Sequence, residues 1–313
     1  MKSTDTCARK VMPPFDLSIV VAAQGSPEET ANCLRSLLAQ EGVDINRLQI
    51  IVSEVEPFNA RRHWRATGGC TSIEFVESPD GYSIPLLHGI GMSAASAPLV
   101  TITEGHCTFS ENWMAAALNA HQSSPDTSAI GGSVLPGNSL GSLNTALFLC
   151  DYAQFLPPLQ RASTADLPGN NIVFKREVLP QPTELKSGFW KTFFCKQLEK
   201  DGKKLEIEPA MIVYYNRKLA AGEIAVRRYH HGRCFGGMRS NMISINKRCL
   251  IFLTGAALPA MLSWKLTSRC RGKGEYLNQL VACAPAAFLC LSMWALGEWI
   301  GNLAGPGHSC ELL

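Results

Sequence analysis

The stretch Leu99-Val-Thr-Ile-Thr-Glu-Gly-His-Cys107 is the part of the sequence that decides the fold prediction. Its first four residues predict a short buried strand, and the chain then turns polar at Glu104 and His106. A strand that ends in a carboxylate and an imidazole places both at the carboxyl edge of a sheet, where open α/β sheets bind their ligands. Such a pair, with a glycine between its members, can converge on one cation or one phosphate group. Taken alone, the stretch fits an acidic turn with a solvated histidine equally well.

Three further apolar runs in the first hundred residues also end in polar turns. Residues 17–23 form a β-branched run that is typical of a parallel strand buried on both faces, and 48–52 and 73–76 continue the series. Between the first two runs, Ser26 and Pro27 are typical of the cap and first position of a helix. The carboxyl ends of parallel strands meet at one edge, so the polar residues after these strands are expected to lie together: Gln24, Glu54, Glu77 and Glu104. Such an edge suits a nucleotide.

Composition and missing motifs exclude several classes of protein. No G-x-G-x-x-G follows the first strand and no P-loop lysine motif is present, which disfavours a dinucleotide-dependent dehydrogenase and a P-loop kinase. The formal net charge of +3 gives no case for nucleic acid as the main partner. The 12 cysteines contain no C-x-x-C pair, and residues 1–14 lack the apolar core of a signal peptide. These features predict reduced thiols in the cytosol.

The second half of the chain continues the alternation of strands and helices. An apolar run at 129–134 precedes a predicted helix over 142–155, and 188–198 predicts an amphipathic helix that is followed by a strand over 205–215. The turn Leu167-Pro-Gly-Asn-Asn171 leads into another apolar strand. Its glycine and two amides can hydrogen-bond sugar hydroxyls, or the segment can be a plain turn before a strand.

Over residues 16–240 the order and spacing of these motifs resemble those of family 2 glycosyltransferases. That family has the GT-A fold, a Rossmann-like, mostly parallel sheet flanked by helices in an α/β arrangement. The resemblance lies in six segments: Ser18-Ile-Val-Val-Ala-Ala-Gln24 with the following helix, Leu86–Val100 with His88-Gly89 where the family usually has Arg-Asn, Thr103-Glu-Gly-His106 at the position of the family's Asp-x-Asp metal motif, Leu167-Pro-Gly-Asn-Asn with Lys175-Arg-Glu177, the run from Leu198 to Tyr215, and Tyr229-His-His-Gly-Arg233. The tail from Gly297-Glu298 to Gly305-Pro-Gly307 resembles that of membrane-associated members.

The resemblance implies an enzyme that transfers a sugar from a nucleotide donor, most often UDP-linked, to an acceptor hydroxyl. It implies a divalent cation, Mn²⁺ or Mg²⁺, held by Glu104 and His106. The implied donor-binding residues are Ala22, Gln24, Glu54, His88 and Glu104. The implied acceptor or diphosphate contacts are Gly169, Asn170, Asn171, Trp190, His230 and Arg233.

The sequence departs from the family's pattern at the metal motif, where the two usual aspartates are replaced by Glu104 and His106. Glutamate and imidazole still bind a divalent ion, with manganese better suited than magnesium. His230 or His231 can supply a third ligand, or His230 and Arg233 can hold the diphosphate directly. The alternative is that both histidines lie on a solvated helix face.

The second departure concerns the catalytic base. Trp190 and Lys191 stand where the family carries its acidic residue, and a lysine is normally protonated at neutral pH. Glu184 and Asp166 are the candidate substitutes, while Lys191 can instead hold an anionic donor or a lipid phosphate. Two functions therefore stay open: an active glycosyltransferase with altered chemistry, or a catalytically weakened nucleotide-sugar-binding member that acts as a binding or assembly subunit.

The predicted division of the chain is an N-terminal tail (1–15), the GT-A domain (16–215), a helical linker (216–248) and C-terminal hydrophobic helices (249–313). Residues 249–264 are apolar but short for a membrane span, whereas 280–300 are long enough. The basic residues between them are Lys265, Arg269, Arg271 and Lys273. Two full spans would export this loop against the positive-inside rule.

We therefore expect a re-entrant or interfacial helical pair at the cytoplasmic face of the membrane, with the basic loop on anionic headgroups. Two full spans and a buried soluble hairpin are the alternatives. The position favours a lipid-linked or glycan acceptor.

Overall fold

The computed structural model describes residues 15–56, 59–69, 72–78, 83–137 and 140–313. Residues 1–14, nearly all of the predicted N-terminal tail, lie outside this range. The described strands are β1 (Leu17–Ala22), β2 (Leu48–Glu54), β3 (Glu74–Glu77), β4 (Leu99–Glu104), β5 (Cys107–Phe109), β6 (Thr127–Pro136), β7 (Ala162–Ser163), β8 (Ile172–Lys175) and β9 (Lys204–Tyr215). Sequence patterning located seven of them, and it missed the short strands β5 and β7.

The described helices alternate with the strands in the first half and follow one another after β9. They are α1 (Pro27–Leu38), α2 (Ala60–Ala66), α3 (Ile84–Ala94), α4 (Trp113–Ser123), α5 (Ser142–Tyr152), α6 (Pro182–Leu185), α7 (Lys191–Lys200), α8 (Ala221–Ser240), α9 (Ile245–Thr254), α10 (Leu258–Cys270), α11 (Glu275–Ala282) and α12 (Ala284–Ala304). The start of α1 is as predicted: Ser26 accepts a hydrogen bond from the Glu29 N–H and Glu29 reciprocates, which closes a capping box.

The strands form one sheet in the order β3-β2-β1-β4-β8-β6-β9-β5, with β7 paired to β9. The first four strands are parallel, whereas β8 runs antiparallel to both β4 and β6. The expectation of a mostly parallel sheet is therefore correct for β1 to β4 and for the pair β6 and β9, and wrong for β8 and for the short strands β5 and β7, which pair antiparallel to β9. The apolar run in β8 is buried on both faces, and such burial does not report the direction of a strand.

Alternate residues of β1 enter two hydrophobic cores, one on each face of the sheet. Ile19 and Val21 pack into one core and Val20 into the other, and all three are fully buried. Helices therefore cover both faces, which leaves the strand ends as the accessible edge of the sheet.

Helix α8 packs along α12 through a seam of glycines. A β-carbon at Gly232 would lie 2.1 Å from the carbonyl oxygen of Trp294, and one at Gly297 would lie 2.0 Å from that of Tyr229. Only glycine allows the two backbones to approach so closely. One face of α12 is thus held against α8.

Two C-terminal helical stretches, 245–270 and 284–304, are long and apolar enough to cross a membrane by length and composition. The first extends beyond the predicted run of 249–264. In the most apolar part of each, 11% of the residues are buried in the first stretch and 44% in the second. The second stretch is thus half covered by protein, and most of the first is not.

A disulfide joins Cys234 in α8 to Cys310 near the C-terminus. The expectation that all the thiols are reduced is therefore wrong for this pair. Neither the composition nor the spacing of the cysteines marks the two, because they lie 76 residues apart and are brought together by the packing of α8 against the chain that follows α12.

Candidate functional site

The predicted polar edge forms at the carboxyl ends of the parallel strands. Ala22 lies in register between Ser53 of β2 and Glu104 of β4, and Glu54 pairs with Glu77. Beyond Glu104 the chain turns sharply, with the Gly105 N–H donating to the Ala22 carbonyl at 2.9 Å. The sequence therefore located this edge correctly.

Glu104 is the centre of a charged cluster at this edge. Its Oε2 lies 3.7 Å from the His106 Nδ1 and 3.8 Å from the Arg217 Nη1, and its side chain is 14% exposed. Burial alone would raise the pKa of Glu104, but the positive charges of Arg227 and Arg217 help to outweigh it and lower that pKa. Glu104 is therefore a carboxylate at neutral pH.

Two arginines that the sequence analysis missed converge on Gln24. The Nη1 atoms of Arg217 and Arg227 each donate to the Gln24 Oε1 at 3.1 Å, and Gln24 in turn donates to the Leu313 carbonyl oxygen at 3.0 Å. Burial, and next the charge of Arg217, lowers the pKa of Arg227. Arg227 lies one helical turn before His231, so the period of α8 was the signal that could have found it.

Glu104, Arg217 and Arg227 line a cavity of ≈ 50 Å³. This is several times the ~10–15 Å³ that one water molecule needs. Its lining residues are Glu104, Leu147, Asp151, Tyr152, Tyr215, Arg217, Arg227, Arg228 and His231. Burial, and then the neighbouring arginines, hold the pKa of His231 well below its usual range, so this imidazole is neutral. The charged groups of the lining are thus arginines and carboxylates.

His106 is a buried, neutral imidazole. Its ring packs edge-on against Tyr215 with the centroids 4.8 Å apart, and in the described part of the chain neither ring nitrogen has a hydrogen-bond partner. Burial lowers the pKa of His106 to about 3, although Glu104 opposes this shift. A neutral imidazole has a lone pair on its unprotonated nitrogen, with which it can accept a hydrogen bond.

The residues at this edge do not fit a divalent cation. Glu104 and His106 supply two donors, and no group of three or more His, Cys, Asp or Glu in the described residues is arranged to hold a metal. The small number of protein ligands does not by itself exclude a metal ion, because Mg²⁺ is commonly held by one or two carboxylates and substrate phosphates. The charge of the site is the stronger argument against a metal ion. The Glu104 carboxylate already faces Arg217, and Arg227 lines the same cavity, so a dication would add positive charge to a site that is already positive.

The other predicted donor residues hold the edge together. Glu54 accepts a hydrogen bond from the Arg61 N–H at 3.0 Å, and its Oε1 lies 3.5 Å from the Arg61 Nε. A cavity of ≈ 290 Å³ opens beside it, lined by Glu54, Glu56, Asn59, Arg61, Arg62, Arg65 and Glu77. The His88 Nε2 bonds the Thr103 carbonyl oxygen at 3.0 Å, which ties α3 to β4 just before Glu104.

Of the candidate bases, Asp166 is bound to Lys191. The Lys191 Nζ lies 3.0 Å from the Asp166 Oδ1, and Gln154 donates to Oδ2 at 2.9 Å. Burial would raise the pKa of Asp166, but Lys191 and Gln154 outweigh it and lower that pKa. Glu184 is exposed and caps its own short helix, accepting from the Gln181 N–H at 3.0 Å. Neither carboxylate lines the cavity beside Glu104.

The two asparagines of the turn before β8 are fully buried. Asn171 donates to the carbonyls of Ser133 and Met211 at 2.8 Å each and accepts from the Trp113 indole N–H at 2.8 Å. With both ends of its amide occupied, Asn171 is a structural residue, and the prediction that it binds a sugar is wrong. Gly169 and Trp190 are partly exposed and remain accessible to a ligand.

Asn170 differs from its neighbour. Its Nδ2 lies 3.3 Å from the Cys107 Sγ, and its Oδ1 has no partner in the described part of the chain. Its full burial does not fit direct contact with an acceptor.

His230 and Arg233 hold the end of the chain. The His230 Nδ1 is 3.0 Å from the Ser309 hydroxyl, and the Arg233 Nε donates to the Gly305 carbonyl at 3.4 Å. Neither residue lines the cavity beside Glu104. The prediction that this pair holds a diphosphate does not match its placement, because the α8 residues that line the cavity are Arg227, Arg228 and His231.

Comparison with known proteins finds similarity in structure alone. No family model matches the sequence, and no curated protein does. The fold is similar to that of the mannosyltransferase PcManGT from Pyrobaculum calidifontis, solved in complex with GDP-Man and Mn²⁺, with a TM-score of 0.56 and 15% identity over 94% of this chain and 88% of that chain. The chain therefore has a glycosyltransferase fold.

Proposed function

We propose that the chain is a family 2-like glycosyltransferase of GT-A type that moves a sugar from a nucleotide donor to an acceptor hydroxyl. The observation that carries the proposal is Glu104, ionised at the carboxyl edge of β4 beside a cavity rich in arginine. In open α/β sheets this edge is where ligands bind. The fold shared with a nucleotide-sugar-dependent enzyme supports the same reading.

The donor lies along the edge from β2 to β4. Its base and ribose occupy the cavity beside Glu54, and its diphosphate passes Ala22 and Gln24 to reach the charged cluster at Glu104. These strands are two spacings apart, about 10 Å, so one extended nucleotide reaches both ends. UDP-linked and GDP-linked sugars are the donors to test first.

In the transfer, the bond between the sugar C1 and the diphosphate oxygen breaks and its electron pair stays on the diphosphate. The acceptor oxygen forms the new bond to C1 and loses its proton to a carboxylate. Asp166 is our candidate for that role, with Lys191 as the positioning residue that holds it. Positive groups at the edge stabilise the charge that develops on the leaving diphosphate.

A second candidate function is donor binding without efficient turnover, as a binding or assembly subunit. The observation that favours it is the occupied state of Asp166, whose oxygens are bonded to Lys191 and Gln154 and whose pKa is lowered. A carboxylate held in this way accepts a proton less readily than a free one.

We also propose that the C-terminal helices lie on the cytoplasmic face of a membrane and present a lipid-linked or glycan acceptor to the site. Large apolar side chains are exposed on these helices: Leu250, Phe252, Leu253, Met261, Trp264, Val281, Phe288, Leu289, Leu296 and Leu303. The loop between them is less available to headgroups than its composition indicates, because Lys273 donates to three backbone carbonyls, of Ala153, Gln154 and Leu156.

Donor hydrolysis and thermal stabilisation test the catalytic proposal. UDP-glucose, UDP-N-acetylglucosamine and GDP-mannose would be offered to the wild type, to Glu104→Ala and to the exposed control Glu199→Ala. We expect release of nucleoside diphosphate from one donor, unchanged in the control and reduced about 10²-fold in Glu104→Ala, because Arg217 loses the carboxylate that holds it at the leaving diphosphate. Thermal stabilisation of the protein by a donor without release of nucleoside diphosphate favours the second candidate function. If no donor is hydrolysed and none stabilises the protein, both candidate functions are overturned.

Labelling of Cys249, which is exposed, tests the membrane proposal. Cys270 is fully buried and does not suit this purpose. In sealed cells we expect a membrane-impermeant maleimide to label Cys249 only after the membrane is permeabilised. Labelling from the outside without permeabilisation would reject a cytoplasmic-face arrangement.

A further inference from the structure

We propose that Arg217 and Arg227 bind the donor diphosphate directly, in the position beside Glu104 where a divalent cation would lie, so that diphosphate binding needs no metal ion. This inference rests on the proposed function and names the groups that hold the substrate at that site. It assigns a binding role to two residues outside every motif that the sequence resemblance identifies.

The two guanidinium groups are positioned from separate parts of the chain. Arg217 follows β9 and Arg227 lies in the second turn of α8, and both donate to the same oxygen of Gln24 at 3.1 Å. Gln24 is the polar residue at the end of β1. The arginines are therefore fixed at the sheet edge before any ligand arrives, which lowers the entropic cost of binding one.

The neighbouring Arg228 fixes the rotation of α8. It pairs with Asp151, is 3% exposed, and its guanidinium carbon lies 4.6 Å from the centroid of the Trp294 ring. With Arg228 held between Asp151 and Trp294, the preceding residue Arg227 faces the sheet edge. Arg228 is thus a structural residue, whereas Arg227 is the arginine of α8 that is positioned to bind a ligand.

The net charge of the residues around the cavity favours the binding of an anion. Among the described residues that line it, three arginines face two carboxylates, Glu104 and Asp151. Asp151 is paired with Arg228, and Glu104 lies 3.8 Å from Arg217 and also attracts Arg227, so the lining keeps one positive charge in excess, shared by Arg217 and Arg227. An uncompensated charge in a poorly solvated site is costly, and a bound anion removes that cost.

A diphosphate meets this requirement better than a dication does. A divalent ion next to Glu104 would face Arg217 and Arg227, whereas a diphosphate brings negative charge and several acceptor oxygens. Guanidinium groups match phosphate oxygens in pairs and retain their charge throughout the physiological pH range.

Equilibrium binding of inorganic pyrophosphate, UDP and GDP in excess EDTA tests the proposal. The proteins are the wild type, Arg227→Gln, Arg227→Lys, Arg217→Gln and the control Lys218→Gln, whose exposed side chain is next to Arg217 in sequence. We expect pyrophosphate and one nucleotide to bind without metal, about 10- to 100-fold more weakly in either Gln variant. Arg227→Lys should fall between, because it keeps the charge and loses the paired donors. The control should bind like the wild type.

Near-UV circular dichroism shows whether each variant is folded, and Arg227→Lys keeps the test informative if a Gln variant is not. Nucleotide binding that requires Mn²⁺ and is unchanged by the arginine substitutions overturns the inference and leaves the proposed function standing. Pyrophosphate binding without binding of any nucleotide supports an anion site and counts against the proposed function. Binding of neither overturns the inference.

Discussion

The two ends of the proposed site treat their polar groups in opposite ways. At the end of β4, Arg227 is a cation without a full counter-charge in the lining, and both ring nitrogens of His106 lack hydrogen-bond partners in the described part of the chain. At the turn before β8, by contrast, Asp166 is matched by Lys191 and Asn171 makes three hydrogen bonds. The exception in that turn is the Oδ1 of Asn170, which has no hydrogen-bond partner among the described residues. Buried polar groups in folded proteins are nearly always paired.

The difference indicates where binding energy is available. A group whose partners are already present in the protein gains little from a ligand, whereas an unpaired buried group gains a partner that it lacks. The cavity beside Glu104 is therefore the end that a ligand stabilises, and the turn before β8 is the end that stabilises the fold.

Replacing Asn171 and Asn170 in turn tests the contrast within adjacent residues. Asn171→Ala leaves two carbonyls and an indole N–H unpaired in the core, and we expect it to lower the free energy of unfolding by about 4 kcal/mol. The matched Asn170→Ala should cost only about 1 kcal/mol, because that side chain has one sulfur partner. Urea unfolding measures both. Equal losses would contradict the distinction between saturated and unsaturated groups.

Substitutions in the glycine seam test whether α12 fixes the helix that carries Arg227. Gly297→Ala would place its β-carbon 2.0 Å from the Tyr229 carbonyl oxygen, so α8 and α12 must move apart. We expect this to lower the free energy of unfolding by about 2–3 kcal/mol. We also expect weaker pyrophosphate binding, since Arg227 moves with α8. Gly222→Ala, in the first turn of α8 with nothing near the new atom, should be neutral or stabilise by about 0.5–1 kcal/mol. A change in stability with unchanged binding would show that the seam does not position Arg227.

The contrast also explains how far sequence reasoning reached. The strand pattern and the Ser26 cap are local, so the parallel edge with Gln24, Glu54 and Glu104 was predicted correctly. The partners of Glu104 were not predicted, because Arg217 and Arg227 lie more than 100 residues away from it in sequence. Sequence does not distinguish a saturated amide from a free one either, which is why Asn171 was assigned to the ligand.

Glu104→Gln tests the sign of the charge effect at the cavity. The substitution keeps the size of the side chain and removes the carboxylate of Glu104, which competes with a bound diphosphate for Arg217 and Arg227. We expect pyrophosphate affinity in EDTA to rise by about 3- to 10-fold, the scale of one screened charge a few ångströms away. If Glu104 instead binds a metal, the same variant should lose Mn²⁺-dependent nucleotide binding and gain nothing in EDTA. Isothermal titration calorimetry separates the two outcomes by their opposite signs.

Acid titration of the Asp166–Lys191 pair should give the smallest effect. The folded-state pKa of Asp166 is lowered, so its contribution to stability is present above the unfolded value of about 3.9 and is lost as the pH falls below it. The carboxylate side chain is 47% exposed, so solvent screens the pair and the contribution should stay at about 0.5–1 kcal/mol. The measurement is the difference in unfolding free energy between the wild type and Asp166→Asn from pH 7 to pH 3. A difference that shrinks toward pH 3 fits a paired carboxylate, whereas one that grows would mean that Asp166 is stabilised in its protonated form, as a free catalytic acid would be.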